Sequence, residues 1–154
     1  MTKILLSIFL ILGSIFTSFG QIKGKALHLV GTWKYSEGSG YETWVLKGDQ
    51  LIGSGYRSTK VGDSVKVEDL TISMVNKNLI YTLKTNQPTS QGDSSIIRQF
   101  IGNKSNLYFE NIANEITESI MYKFGIFSKN KLRITIQFKS HQKLQKLKLR
   151  RVIN

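Results

Sequence analysis

The chain has 154 residues, carries 22 Lys and Arg against 10 Asp and Glu for a formal charge of +12, and contains no cysteine. That length supports one domain built on a single core, and the missing thiols exclude a disulfide scaffold, thiolate metal ligation and thiol redox chemistry. The charge is blocky: all ten acidic residues lie between Glu37 and Glu118, whereas Lys129 to Arg151 holds nine Lys or Arg and no acid.

The opening MTKILLSIFLILGSIFTSFG pairs one early cation, Lys3, with an apolar run from Ile4 to Leu12 that continues with few breaks to Phe16. The run is shorter than the roughly 18 apolar residues that spanning requires, and the small residues Ser18 and Gly20 precede Gln21. This pattern predicts a secretory signal peptide over 1–20. The expectation is therefore an exported protein, periplasmic or secreted, with no transmembrane segment after cleavage and one domain over 21–154.

Beyond Gln21 a helical period is hard to find, and period-two alternation takes its place. Strands are expected near 30–36, 40–47, 50–59, 64–75, 79–85, 95–101 and 106–110, separated by KGDQ, KVGD, VNKN, a longer loop TNQPTSQGD and GNKSN. In SVKVEDLTISM the apolar phase slips between Val65 and Val67 on one parity and Leu70, Ile72 and Met74 on the other, which predicts a bulge near Glu68 or Asp69. The glycines of LIGSGYR would let a barrel bend sharply. SIMYKFGIF places Ile120, Tyr122, Phe124 and Ile126 together, and LRITIQF places Leu132, Ile134, Ile136 and Phe138 together, so 119–138 reads as a hairpin. The last run aligns Leu147, Leu149, Arg151 and Ile153. About ten short antiparallel strands at meander spacing favour an all-β, up-and-down barrel of about 8–10 strands over an open sheet with free edges.

GTW at 31–33 resembles the Gly-x-Trp opening of lipocalins and related calycin barrels. That resemblance implies structural closure by an arginine of the last strand packed over Trp33, and strand parity selects Arg151 rather than Arg150. A wider likeness is to an uncharacterised family of exported bacterial lipocalin-like proteins, a domain of unknown function. It is carried by Tyr41, Glu42 and Trp44, then LIGSGYR, then Phe109, Glu110, Asn111, Ile120 and Tyr122. Where that family tends to have Pro and then His-Asp-Phe-Pro, this chain has Ile112 and then Asn114, Glu115, Ile116 and Thr117. Asn114 exchanges no proton near neutral pH, so acid-base chemistry is not expected there. The island FENIANEITESIMY reads as a turn that satisfies backbone groups or as the rim of a ligand cavity.

Elsewhere the chain lacks an HExxH pair, a nucleophile elbow, a phosphate loop and an EF-hand cluster. His28 and His141 read as loop histidines. No catalytic residue, metal or cofactor is expected, and the protein is read as a non-enzyme and a monomer. A barrel of this size can hold one small ligand among apolar and aromatic walls. The candidates are Glu42, Trp44, Tyr56, Tyr81, Arg98, Glu110, Asn111 and Tyr122. Glu42 is either a wet strand-end residue or an inward anchor paired with Arg57 or Arg98. The favoured reading is a barrel binding a small amphipathic or hydrophobic molecule. The alternative is an interaction module whose basic outer face, with Lys139, Lys143, Lys146, Lys148 and Arg150, meets an anionic polymer, lipid or acidic protein. No motif for specific nucleic-acid recognition accompanies that face, and its bland interpretation is a solvated strand surface.

Overall fold

The computed structural model describes residues 21–60, 62–89, 92–103, 106–111, 113, 117–139 and 143–153, with side chains described except at 86–89, 92–95 and 103. The expected signal peptide over 1–20, His141, and Asn114, Glu115 and Ile116 of the polar island lie outside these residues.

The alternating segments become ten strands: β1 (Gly31–Tyr35), β2 (Gly40–Lys47), β3 (Gln50–Ser58), β4 (Ser64–Val75), β5 (Asn78–Thr89), β6 (Gly92–Asn103), β7 (Tyr108–Asn111), β8 (Thr117–Phe124), β9 (Lys131–Phe138) and β10 (Leu144–Arg151). Each pairs antiparallel with its sequence neighbours, and β1 pairs with β10, so the sheet closes into an up-and-down barrel. Closure leaves both of these terminal strands with two neighbours, which removes the edge an open meander would expose. Short turns make this path local: Asn76 and Lys77 both adopt positive φ, 48° and 67°, between β4 and β5. That backbone twist matches the twist of the strands it joins.

Three differences from the sequence expectation have physical causes. The stretch 85–93, expected as a loop, is largely strand, because β5 and β6 stay paired from Leu79↔Gly102 out to Thr89↔Gly92. Pro88 lies beyond Thr85, the last β5 residue paired to β4, where a missing N–H is tolerated. The bulge is one residue earlier than expected: Gly55 faces Glu68 and Tyr56 faces Lys66, so Val67 is the extra residue. Finally, β8 ends at Phe124, and Ile126, expected to join the inward row, is 85% exposed in the β8–β9 turn. Ile153, expected to align with Leu149, is likewise exposed past the end of β10.

One end of the barrel is sealed. A 3-10 helix, Gly24–Leu29, buries Ala26 and Leu29 beneath the strands, with Ile22 beside them. Six residues are too few to show a helical period, which is why this element escapes a periodicity search. The indole N–H of the fully buried Trp33 donates to the Leu29 carbonyl at 2.7 Å, tying the helix to β1. The Arg151 guanidinium lies 4.3 Å from the centre of the Trp33 ring and donates to the carbonyls of His28 and Val30. Trp33 and Arg151 are register partners across the β1–β10 seam, so the last pairing of the barrel also locks its floor.

Candidate functional site

Above that floor the inward positions form an aromatic layer. Tyr81 lies 5.2 Å from Phe109, 5.7 Å from Phe100 and 6.0 Å from Tyr122 between ring centres, and Trp44 meets Tyr122 edge-on at 6.1 Å. The glycines of β3 make room for it. A Cβ on Gly53 would sit 2.8 Å from the Trp44 ring, and one on Gly55 would sit 3.0 Å from the Glu68 carboxylate. Their use is therefore close approach by opposing side chains.

Toward the other end the interior is not filled. A cavity of about 290 Å³ opens there, with Ser39, Arg57 and Gln145 among its lining residues. Its walls include Ile120, Ile134, Ile136, Leu83 and Leu147, and its polar lining includes Tyr35, Glu42, Glu68, Tyr81 and Tyr122. At ~30 Å³ per molecule this space equals roughly ten waters. It falls just below the range of about 300–1,000 Å³ in which small-molecule sites lie.

Glu42 is the central polar group. It is 3% exposed and faces inward, which decides between the wet and anchored readings of its position. Its Oε1 accepts from the Tyr35 hydroxyl at 3.0 Å and its Oε2 from the Trp44 indole N–H at 3.1 Å. Both donors are neutral, so among the described residues the carboxyl is hydrogen-bonded without a neutralising charge in direct contact. Burial pushes its pKa up to about 7, with the hydrogen bonds from Trp44 and Tyr35 pulling downward and the charge of Glu68 adding to the rise. The site thus holds a carboxyl that can gain or lose a proton near neutrality.

Glu68 faces the same space. Burial raises its pKa too, while Arg57 and then Arg98 oppose the rise. The arginines proposed from sequence as partners of Glu42 therefore act on Glu68, because the Val67 bulge turns Glu68 inward on the parity of Leu70 and Ile72. Burial raises the Tyr81 and Tyr122 phenols well above their ordinary value, with the charge of Glu42 contributing next, so both stay protonated. Their hydroxyls lie 3.3 Å apart. Tyr35 is raised as well, by burial first and Glu42 second.

The structure brings together Glu42, Tyr81 and Tyr122 at the cavity, with Trp44 beneath it as a donor to Glu42. Tyr56 borders the cavity, but its ring stacks on Tyr41 at 4.6 Å, on the strand face opposite Gly53 and Gly55, so it is not the inward wall expected from sequence. The remaining candidates lie apart. Arg98 acts on Glu68 but is not part of the cavity lining. Glu110 is exposed on the outer face of β7. Asn111 serves a turn: its amide donates to the Thr117 carbonyl at 2.8 Å and its Oδ1 accepts from the Ala113 N–H at 2.8 Å. The Asn111 end of the polar island therefore serves a turn, its side chain replacing missing backbone partners, while Ile120 and Tyr122 at the other end belong to β8 and line the cavity. Leu46, which shares the strand parity of Glu42 and Trp44, is half exposed where β2 reaches the sealed end.

Sequence reasoning missed Tyr35 and Glu68. Tyr35 was legible two residues beyond Trp33 on the same strand face. Glu68 was legible only by extending the parity of Leu70 back to it, which requires the bulge at Val67 rather than at Glu68 or Asp69. No family model, curated protein or solved structure matches this chain.

Proposed function

We propose that this protein is an exported barrel that binds a small amphipathic molecule bearing a basic nitrogen inside its open half. The observation that carries the reading is the cavity of about 290 Å³ in which apolar walls surround two inward carboxylates and a layer of tyrosines. Its volume argues against a long-chain lipid and for a compact ligand. Glu42 gives the ligand its anchor: ionised, it would pair with a protonated amine, and the desolvated setting strengthens that attraction. The faces of the neighbouring aromatic rings favour a cation over a neutral group. Arg57 near Glu68 works against a second positive charge at the mouth, so the preferred ligand is monocationic. The resemblance of GTW and its arginine to lipocalins and calycin barrels supports a ligand-holding role, and the apolar run from Ile4 to Phe16 supports export.

The test is titration of tryptophan fluorescence with small alkyl and aryl amines and with the matching alcohols and carboxylates. Trp44 donates to Glu42, so a ligand that engages the carboxyl should alter its emission. Saturable changes for amines, lost in Glu42→Gln, are expected. Silence across the panel, or a preference for the carboxylates, would overturn the proposal.

A further inference from the structure

The sealed end and the wall beside it carry a second surface. The β8–β9 turn presents Ile126 and Phe127 at 85% and 99% exposure. A phenylalanine this exposed at a turn tip gains nothing from the fold. It is not alone: Leu27 and Val30 around the 3-10 helix, and Val152 and Ile153 after β10, are also exposed apolar residues. These segments meet at the same end, because the Arg151 N–H donates to Asn130 of the turn at 2.9 Å and the Val152 N–H to Thr32 at 2.9 Å.

The strands flanking the turn supply an unusual distribution of charge. Register places Lys123, Arg133 and Lys148 directly opposite one another across β8, β9 and β10. It also places Lys131, Arg150 and Lys34 opposite one another across β9, β10 and β1. All six are exposed, and Glu37 pairs with Lys148 at 3.0 Å. Like charges at directly opposed strand positions destabilise a sheet. Two such rows side by side are an arrangement that folding alone does not favour. A groove of about 650 Å³ is lined by five of these cations, all but Lys34, and also by Ile126 and Phe127, so the apolar tip and those cations form one continuous surface.

We infer that this surface docks on an anionic phospholipid bilayer. Cations alone would suit any polyanion, but an apolar tip beside them matches an interface in which headgroup phosphates overlie the acyl region. Ile126 and Phe127 enter the acyl boundary while the two rows lie against the phosphates. A soluble polyanion offers the apolar pair nothing to enter. The open end of the barrel faces away from the sealed end, so its cavity stays accessible when the protein is docked.

The experiment is co-sedimentation of the protein with vesicles of phosphatidylcholine alone and of phosphatidylcholine with about 30% phosphatidylglycerol, at 0.15 M salt, where surface charges are screened beyond about 8 Å. Heparin is the soluble comparison. Binding is expected on the anionic vesicles and not on the neutral ones. It should fall about tenfold both in Ile126→Ser/Phe127→Ser and in Lys131→Glu/Arg133→Glu. These side chains are all exposed, and far-UV circular dichroism serves as the check that the variants fold. Binding unchanged by either pair would overturn the proposal and assign membrane affinity to another surface. Heparin binding as tight as vesicle binding and indifferent to Phe127 would overturn it in favour of a polyanion surface. A concentration-dependent dimer abolished by Ile126→Ser/Phe127→Ser, without vesicle binding, would overturn it in favour of self-association.

Discussion

Glu42→Gln separates the charge of the buried carboxyl from its hydrogen bonds. The glutamine carbonyl can accept from the Trp44 indole, and its amide can donate to the Tyr35 hydroxyl oxygen, since a hydroxyl serves in either role. Both contacts seen at 3.1 and 3.0 Å therefore have a neutral replacement. In the folded protein the Glu42 pKa stands at about 7 against an ordinary 4.5. Below the lower value both folded and unfolded chains hold the proton, and the group makes no pH-dependent contribution. Between the two values the unfolded chain has released the proton and the folded one retains it, so stability falls as pH rises. Above about 7 the loss is complete, and the gap between the two values corresponds to on the order of 3 kcal/mol. The variant should match the natural chain near pH 4.5 and exceed it by about 2–3 kcal/mol at pH 8, measured by urea unfolding at both. Glu68 is raised mainly by burial, which both proteins share, so the difference between them reports Glu42 together with its coupling to Glu68. Parallel stability curves for the two chains would refute the reasoning, as would a glutamine variant weaker at every pH.

The floor of the barrel gives a second prediction: Arg151→Ala should cost about 2–3 kcal/mol in chemical denaturation through loss of the ring contact and both carbonyl partners. Arg150→Ala, on an exposed position, should stay within about 0.5 kcal/mol, and Arg151→Lys should recover less than half the loss because an ammonium lacks the planar fork. Gly53→Ala should cost about 1–3 kcal/mol and change Trp44 fluorescence, since its Cβ would sit 2.8 Å from the indole ring. Gly48→Ala, where a Cβ meets nothing within 4 Å, should leave the emission unchanged.

Much of the fold was legible because a strand writes its two faces into the sequence with period two, a rule each segment obeys without reference to the others. That rule alone put Leu132, Ile134 and Leu149 inside and Lys146, Lys148 and Arg150 outside, and it chose Arg151 over Arg150 as the arginine that the likeness to calycin barrels sets against Trp33. It also put Glu42 and Trp44 on one face. The choice of partner belonged to register, which is a relation between segments. Parity cannot say that Glu42 meets Tyr35 and Trp44 rather than an arginine, or that Gly55 leaves space for Glu68. Nor can it say where a strand stops. Ile126 has the parity of Tyr122, yet Phe124 ends the ladder and the next apolar residues turn outward. The two opposed rows of cations likewise exist only once β8, β9, β10 and β1 are aligned. Alternation determined inside and outside, while the closure of ten strands around one axis decided which residues meet and how much of the interior stays open.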